Sequence, residues 1–170
     1  MNYPLYLSLG SNIEPRVEYL RGGLGLLNNY FVPVRISSLY ETEPVDMLTD
    51  DHFYNICALY ISELSDPQEI LNILKNIEAK KGRQIYNKGK NKSRTLDIDI
   101  LLFHDIIIST DALHIPHKRM YQRRFVLEPL LEILPKHSQY YKKTVHALEG
   151  LHGQKIKKLG DWNFGFSTKS

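Results

Sequence analysis

Tyr3 to Leu9 alternates apolar and polar positions, the period of a strand, and it runs into Gly10-Ser11-Asn12, a turn signal. A helix is expected from about Pro15, because Val17, Leu20, Leu24 and Leu27 recur at helical spacing, although Gly22, Gly23 and Gly25 interrupt it. Val32 to Thr42 reads as a second strand and Phe53 to Ile61 as a third, the latter rich in aromatic and β-branched residues. The second helix is the most strongly signalled element. Asp66 is a natural N-cap, Pro67 suits the first helical position and Glu69 completes a capping box. Ile70, Leu71, Leu74 and Ile77 form its apolar stripe, and Gly82 is its stop.

A polar stretch then leads into Thr95-Leu96-Asp97-Ile98-Asp99-Ile100-Leu101-Leu102-Phe103, a fourth strand. Ile106 to Ile108 adds a short strand, and Phe125 to Leu134 a last helix that stops at Pro135. From about residue 150 the glycines and lysines read as an irregular, peripheral tail, with Trp162, Phe164 and Phe166 packing part of it back. The order β-α-β-β-α-β predicts an α+β fold of the ferredoxin-like kind. Its antiparallel sheet carries helices on one face, leaves the other open to a ligand, and is followed by additional C-terminal elements. The whole, residues 1–170, is expected to be one domain.

Composition narrows the function classes. The chain is 42% hydrophobic and 24% charged with a formal net charge of +3, too mild to imply a general nucleic-acid binder. Its one cysteine, Cys57, excludes an internal disulfide. No apolar run reaches membrane-spanning length and no basic lead precedes an apolar signal region, so the expected compartment is the cytoplasm.

The acid pair in the fourth strand changes the picture most. With period two, Asp97 and Asp99 point the same way, roughly 6–7 Å apart, while Leu96, Ile98, Ile100 and Leu102 point to the other face. Two carboxylates that close repel each other, and a divalent cation cancels the penalty. Mg²⁺ in particular favours a few carboxylate oxygens supplemented by substrate phosphates. Upstream, Arg83, Lys88, Lys90, Lys92 and Arg94 form a basic stretch without an acid. A polyphosphate between the two groups suits both. The bland alternative, an exposed acid pair on an edge strand, has even weight on these residues alone.

Four stretches form a set: Gly10-Ser11-Asn12, Tyr40-Glu41-Thr42-Glu43-Pro44, Arg94-Thr95-Leu96-Asp97-Ile98-Asp99-Ile100, and Pro116-His117 with Arg123-Arg124-Phe125. Together, over about residues 3–134, they resemble the 6-hydroxymethyl-7,8-dihydropterin pyrophosphokinase family of folate biosynthesis. The resemblance implies transfer of diphosphate from ATP to the hydroxymethyl oxygen of the reduced pterin, with AMP leaving. It implies two Mg²⁺ ions on Asp97 and Asp99, catalytic roles for Arg83, Arg94, Asp97 and Asp99, and ATP contacts from Glu78, Arg83, Arg94, Ile98, His117 and Arg123. The implied pterin pocket is Thr42, Glu43, Pro44, Val45, Phe53, Asn55 and Phe125. A flat heterocycle with a donor–acceptor edge needs aromatic walls and an amide, which Phe53, Phe125 and Asn55 offer. Taken alone, Glu78 reads equally as an exposed helix acid and Phe53 as core.

The sequence departs from the family pattern at Lys92-Ser93, where Gly-Pro is usual, at Lys88-Gly89-Lys90-Asn91, where an aromatic residue usually covers the pterin, at Lys118, and at Glu43, where a proline can stand. Tyr86 is a candidate replacement for the aromatic cover. The stretch from Arg83 to Arg94 is expected to close as a lid over both substrates. The partners implied are ATP and the pterin, with no nucleic acid, membrane or obligate protein partner. Two rivals stand beside this reading. One is another Mg²⁺-dependent phosphoryl or nucleotidyl transferase. The other is a ferredoxin-like RNA-binding module, disfavoured because no strand carries the base-stacking aromatic motif.

Overall fold

The computed structural model describes residues 1–43, 52–82 and 95–162. It is a mixed α+β fold built on one antiparallel sheet. β1 (Tyr3–Ser11) and β4 (Phe53–Ser62) pair along their whole length at its centre. β5 (Asp97–Phe103) flanks β1, and β4 pairs on its other side with β2 (Val32–Ile36) and β3 (Leu39–Thr42), giving the order β5-β1-β4-β3. The expected single strand from Val32 to Thr42 is therefore two. Ser37 makes the break: its N–H donates to the Cys57 carbonyl and its hydroxyl accepts from the Cys57 N–H, both at 2.9 Å, so a side chain replaces a rung of the ladder.

Helices α1 (Arg16–Leu27) and α2 (Pro67–Lys80) cover one face of the sheet. Leu20, Leu24 and Leu27 of α1 and Ile70, Leu74 and Ile77 of α2 meet Leu5, Leu7, Leu9, Ile56, Ala58, Tyr60, Ile98 and Ile100. Gly23 permits the close approach: a Cβ there would lie 2.8 Å from the Leu96 side chain. The cap expected for α2 is present, the Asp66 carboxylate accepting from the Gln68 N–H at 2.9 Å.

Helices also cover the other face, contrary to the expectation of a bare sheet surface. α3 (Arg124–Ile133), preceded by a 3-10 turn at Met120–Gln122, packs Val126, Leu127, Leu130 and Ile133 on Tyr6, Cys57, Leu101 and Leu102. α4 (Tyr141–Glu149), which has no clear counterpart in the sequence pattern, lies behind it. The short strands β6 (Ile108–Ser109) and β7 (His114–Ile115) form a separate hairpin. The segment expected to be an irregular tail instead supplies β8 (Ile156–Gly160), which pairs with β3 and becomes the edge of the main sheet, while Trp162 packs on the first core.

A second correction concerns β5. Tyr6 pairs with Leu102 and Leu7 with Ile100, leaving Leu101 unpaired as a bulge. Leu102 consequently packs with Tyr6 under α3, and Phe103, rather than Leu102, joins the α1/α2 core.

Candidate functional site

Register assembles the site. Directly opposed residues of antiparallel strands share a face. Asp97 faces Gly10, Gly10 faces Asn55, and Asn55 faces Tyr40, so these four form a row across β5, β1, β4 and β3. The next row reads Asp99, Ser8, Cys57. Thr42 opposes Phe53 in a third. All belong to the α3 side of the sheet, with Cys57 under α3 itself and Asp97, Asp99, Asn55 and Phe53 toward the strand ends. The acids and the amide are thus two strand spacings apart, about 10 Å, on one surface.

Gly10 is the floor between them. It lies inside β1, where a turn was expected, and a Cβ there would sit 3.0 Å from Asn55 Oδ1 and 3.6 Å from the Phe53 ring. Asn55 is buried, and its Nδ2 donates to Thr42 Oγ1 at 2.9 Å, which fixes the direction of the amide. Phe53 is half-buried at the mouth.

Asp97 and Asp99 are both half-buried and share one face, as expected. His117 joins them from the loop after β7. Its N–H donates to the carbonyl of the bulge residue Leu101 at 2.9 Å, and its Nε2 stands 3.9 Å from Asp99 Oδ2. Nδ1 accepts from the Arg119 N–H at 3.2 Å, which leaves the ring proton on Nε2, toward Asp99. Burial, and then the charge of Arg123, push the His117 pKa down to about 4, with Asp97 opposing them. The imidazole is accordingly neutral near pH 7. Among the described residues no group of three His, Cys, Asp or Glu side chains forms a metal cluster, so the acids stand as a pair.

Arg123 and Phe125 start α3. The Arg123 guanidinium lies 5.7 Å from the centre of the Phe125 ring, so the candidate phosphate-binding and pterin-stacking groups are in contact. Phe125, Thr42 and Glu43 line an open cleft of about 210 Å³ together with Arg124, Gln154 and Lys155 of the chain's last described stretch. Phe53 and Asn55 lie beside this cleft without lining it. Gln154 and Lys155 had no signal in the sequence beyond belonging to a lysine-rich tail.

Glu78 departs from the reading of an exposed helix acid. It is buried, and its Oε1 accepts from the Ile98 N–H at 2.8 Å, strapping α2 to the start of β5. The Ile98 side chain is in the core, so a ligand can meet this residue only through its backbone. Cys57 is buried, and burial, then the charge of Glu132, push its thiol pKa up, out of the range of a nucleophile. Pro44, Val45, Tyr86, Arg83, Arg94, Lys88, Lys90 and Lys92 lie outside the described residues, as does the lid expected of residues 83–94.

The sequence profile of the 7,8-dihydro-6-hydroxymethylpterin-pyrophosphokinase (HPPK) family matches residues 6–135. The chain is similar to a 2-amino-4-hydroxy-6-hydroxymethyldihydropteridine pyrophosphokinase of Bacillus subtilis (strain 168), 42% identical over 160 residues, 93% of this chain and 92% of that protein. A protein of the same name from Aquifex aeolicus is 35% identical over 131 residues, 77% of this chain and 80% of its own length. The bifunctional protein FolKE of Lactococcus lactis (strain IL1403) is 35% identical over 148 residues, but the chain spans only 42% of its length. Among solved structures, wild-type HPPK-DHPS of Plasmodium falciparum with pteroate matches 88% of this chain and 44% of that one, with a TM-score of 0.71 at 16% identity. That likeness bears on the fold alone. With its profile match and two well-covered relatives, the chain belongs to the 7,8-dihydro-6-hydroxymethylpterin-pyrophosphokinase family.

Proposed function

We infer that this chain is an ATP-dependent pyrophosphokinase of folate biosynthesis, transferring diphosphate from ATP to the hydroxymethyl group of 6-hydroxymethyl-7,8-dihydropterin and releasing AMP. The observation that carries the site assignment is the register of four strands. It sets a carboxylate pair, with His117 and Arg123 beside it, at one end of a surface whose other end holds Asn55, Thr42 and Phe53. The two ends match the two substrates, one a polyanion and the other a flat hydrogen-bonding ring.

The donor set suits Mg²⁺, since two carboxylates without a third protein ligand group among the described residues leave room for water and phosphate oxygens. Two such ions, when bound, would neutralise the triphosphate and polarise the β-phosphorus. Asp97 and Asp99 hold them on this reading. Neutral His117 keeps its proton on Nε2, beside Asp99, and donates it in a hydrogen bond to a phosphate oxygen. Arg123 adds a guanidinium fork. Arg83 and Arg94 are assigned from the sequence to the transferring group, and the Ile98 backbone and Glu78 to the nucleotide's side of β5. Asn55 and Thr42 read the pterin edge, Phe53 and Phe125 stack on its faces, and Glu43, Pro44 and Val45 border it. The hydroxymethyl oxygen attacks the β-phosphorus and gives up its proton to solvent, the bond from that phosphorus to the α-bridging oxygen breaks, and AMP departs with that oxygen.

The strand order β5-β1-β4-β3, with α1 and α2 on one face, supports the finer fold reading of a ferredoxin-like unit extended by α3, α4 and β8. ATP as co-substrate supports a cytoplasmic location. Among the described residues no helix is long and apolar enough to cross a membrane.

The test is incubation with ATP, Mg²⁺ and the reduced hydroxymethylpterin, resolving adenine nucleotides and inorganic pyrophosphate. AMP appearing in step with a pterin diphosphate is expected, and EDTA should stop it. Release of pyrophosphate with an adenylylated product would replace this reading by nucleotidyl transfer.

A further inference from the structure

After α4 the chain returns to the substrate cleft. Gly153 turns it with φ 80°, a conformation that strains any residue with a Cβ. β8 then pairs with β3, placing Ile156 opposite Thr42 and Lys157 opposite Glu41, while the Lys155 ammonium lies 3.8 Å from the Glu43 carboxylate. This register fixes residue 154 beside the start of α3.

The Gln154 side chain makes two hydrogen bonds there, both to one short stretch of backbone. Its Oε1 accepts from the Arg124 N–H at 2.8 Å, and its Nε2 donates to the Gln122 carbonyl at 2.9 Å. Only this orientation of the amide satisfies both, since the N–H needs an acceptor and the carbonyl a donor. The Arg124 N–H is in the first turn of α3, where no helical carbonyl can reach it, and the residue before it makes no side-chain cap. A residue thirty positions away supplies the missing acceptor. The residue enclosed between the two bonds is Arg123, the N-cap of α3 with φ −122° and ψ 103°, and its guanidinium packs against Phe125.

We propose that Gln154 is a positioning residue for both substrates, a clamp that holds the Arg123 backbone so that the guanidinium and the Phe125 ring keep their places. The β8 segment is then part of the substrate site. The inference rests on the assignment of Arg123 to ATP and Phe125 to the pterin. Gln154 touches no reacting atom in this role. Because the clamp is partly exposed, water replaces its bonds when it is removed, and the loss falls on the geometry of Arg123 and Phe125 more than on folding.

Steady-state kinetics on the full chain test it, with Gln154→Ala, Gln154→Glu and Phe125→Ala compared alongside thermal melts. Gln154→Ala should raise the KM for pterin and for ATP about five-fold each, with a melting shift of no more than about 2 °C. Gln154→Glu keeps an acceptor for Arg124 but sets an oxygen against the Gln122 carbonyl, and the protonated acid regains the donor. Its KM excess over wild type should therefore shrink as pH falls toward about 5. A merely structural residue would lower the melting temperature or kcat and leave both KM values and their pH dependence alone. KM values within two-fold of wild type in Gln154→Ala overturn the clamp. If Phe125→Ala raises the pterin KM in that same experiment, the clamp alone has failed. If Phe125→Ala leaves the pterin KM unchanged, the assignment of the site has failed with it.

Discussion

The two faces of the sheet are made from the same strands and differ in almost everything else. Leu5, Leu7, Leu9, Ile56, Ala58, Ile98 and Ile100 look toward α1 and α2 and make the middle of that side apolar. Their alternating neighbours Ser8, Gly10, Asn55, Cys57, Asp97 and Asp99 look the other way. That second side is graded. Under α3 and α4 it is a core of Tyr6, Cys57 and Leu102, and toward the ends of the strands it becomes the candidate site. The difference teaches how one short stretch serves two ends at once. Ile98 packs into the core while its neighbours Asp97 and Asp99 face the candidate site, because a strand separates consecutive side chains by its full thickness.

If the division is real, substitutions on the two faces should fail differently. The largest effect is expected from Asp97→Asn and Asp99→Asn, which keep shape and remove charge. AMP release at limiting Mg²⁺ should fall about 10³-fold, equivalent to about 4 kcal/mol of barrier, with the thermal melt retained. Near-normal turnover would remove the carboxylate pair from the chemistry. Leu74→Ala, on the opposite side, should cost about 3 kcal/mol in a urea unfolding experiment while the folded fraction keeps wild-type KM values. A raised KM there would mean the faces are not independent.

Gly10→Ala sits at the boundary. Its Cβ would press on Asn55 Oδ1, whose amide is held by Thr42, so pterin affinity should fall about ten-fold, equivalent to about 1.4 kcal/mol, with binding of a non-hydrolysable ATP analogue unchanged. Equal losses for both ligands would point to a disturbed sheet instead.

The smallest effect belongs to the covered part of the second face. Glu132 is partly buried, which by itself would raise its pKa, but the Ser38 N–H and the Tyr40 hydroxyl, each at 2.6 Å, and Lys158 at 3.3 Å bring it below the ordinary carboxylate value. A carboxylate depressed in the folded state contributes stability above its unfolded pKa and loses it as pH falls through the folded one. The protein should thus lose about 1 kcal/mol on acidification below the ordinary glutamate value of 4.5, and Glu132→Gln should flatten that part of the stability curve. An unaltered acid limb in Glu132→Gln would show that the network contributes nothing to it.

The parts of this arrangement that depend on near neighbours in sequence were legible. Period two placed Asp97 with Asp99 and Phe53 with Asn55, and Asp66-Pro67 announced α2. What depends on pairing with distant strands was not. β8 reads Ile-Lys-Lys-Leu-Gly, without alternation, because an edge strand turned to water needs no apolar face. Gly10 looked like a turn because glycine is common there, and its task, leaving room beside Asn55, is visible only once β1 lies against β4. Glu78 looked like a solvent-facing acid because its partner, the Ile98 N–H, is twenty residues away.

The bulge at Leu101 has a consequence for the length of the chain. Removing Leu101 would leave a strand that alternates without interruption, with Ile100 and Phe103 still in the first core and Leu102 still in the second. The ladder between β1 and β5 does not need the extra residue, although its side chain packs under α3. The loop carrying His117 does, since the carbonyl to which it is fastened belongs to that residue. A deletion of one residue at this point should separate what the sequence otherwise joins: a protein that keeps its architecture and has lost the anchor of its histidine.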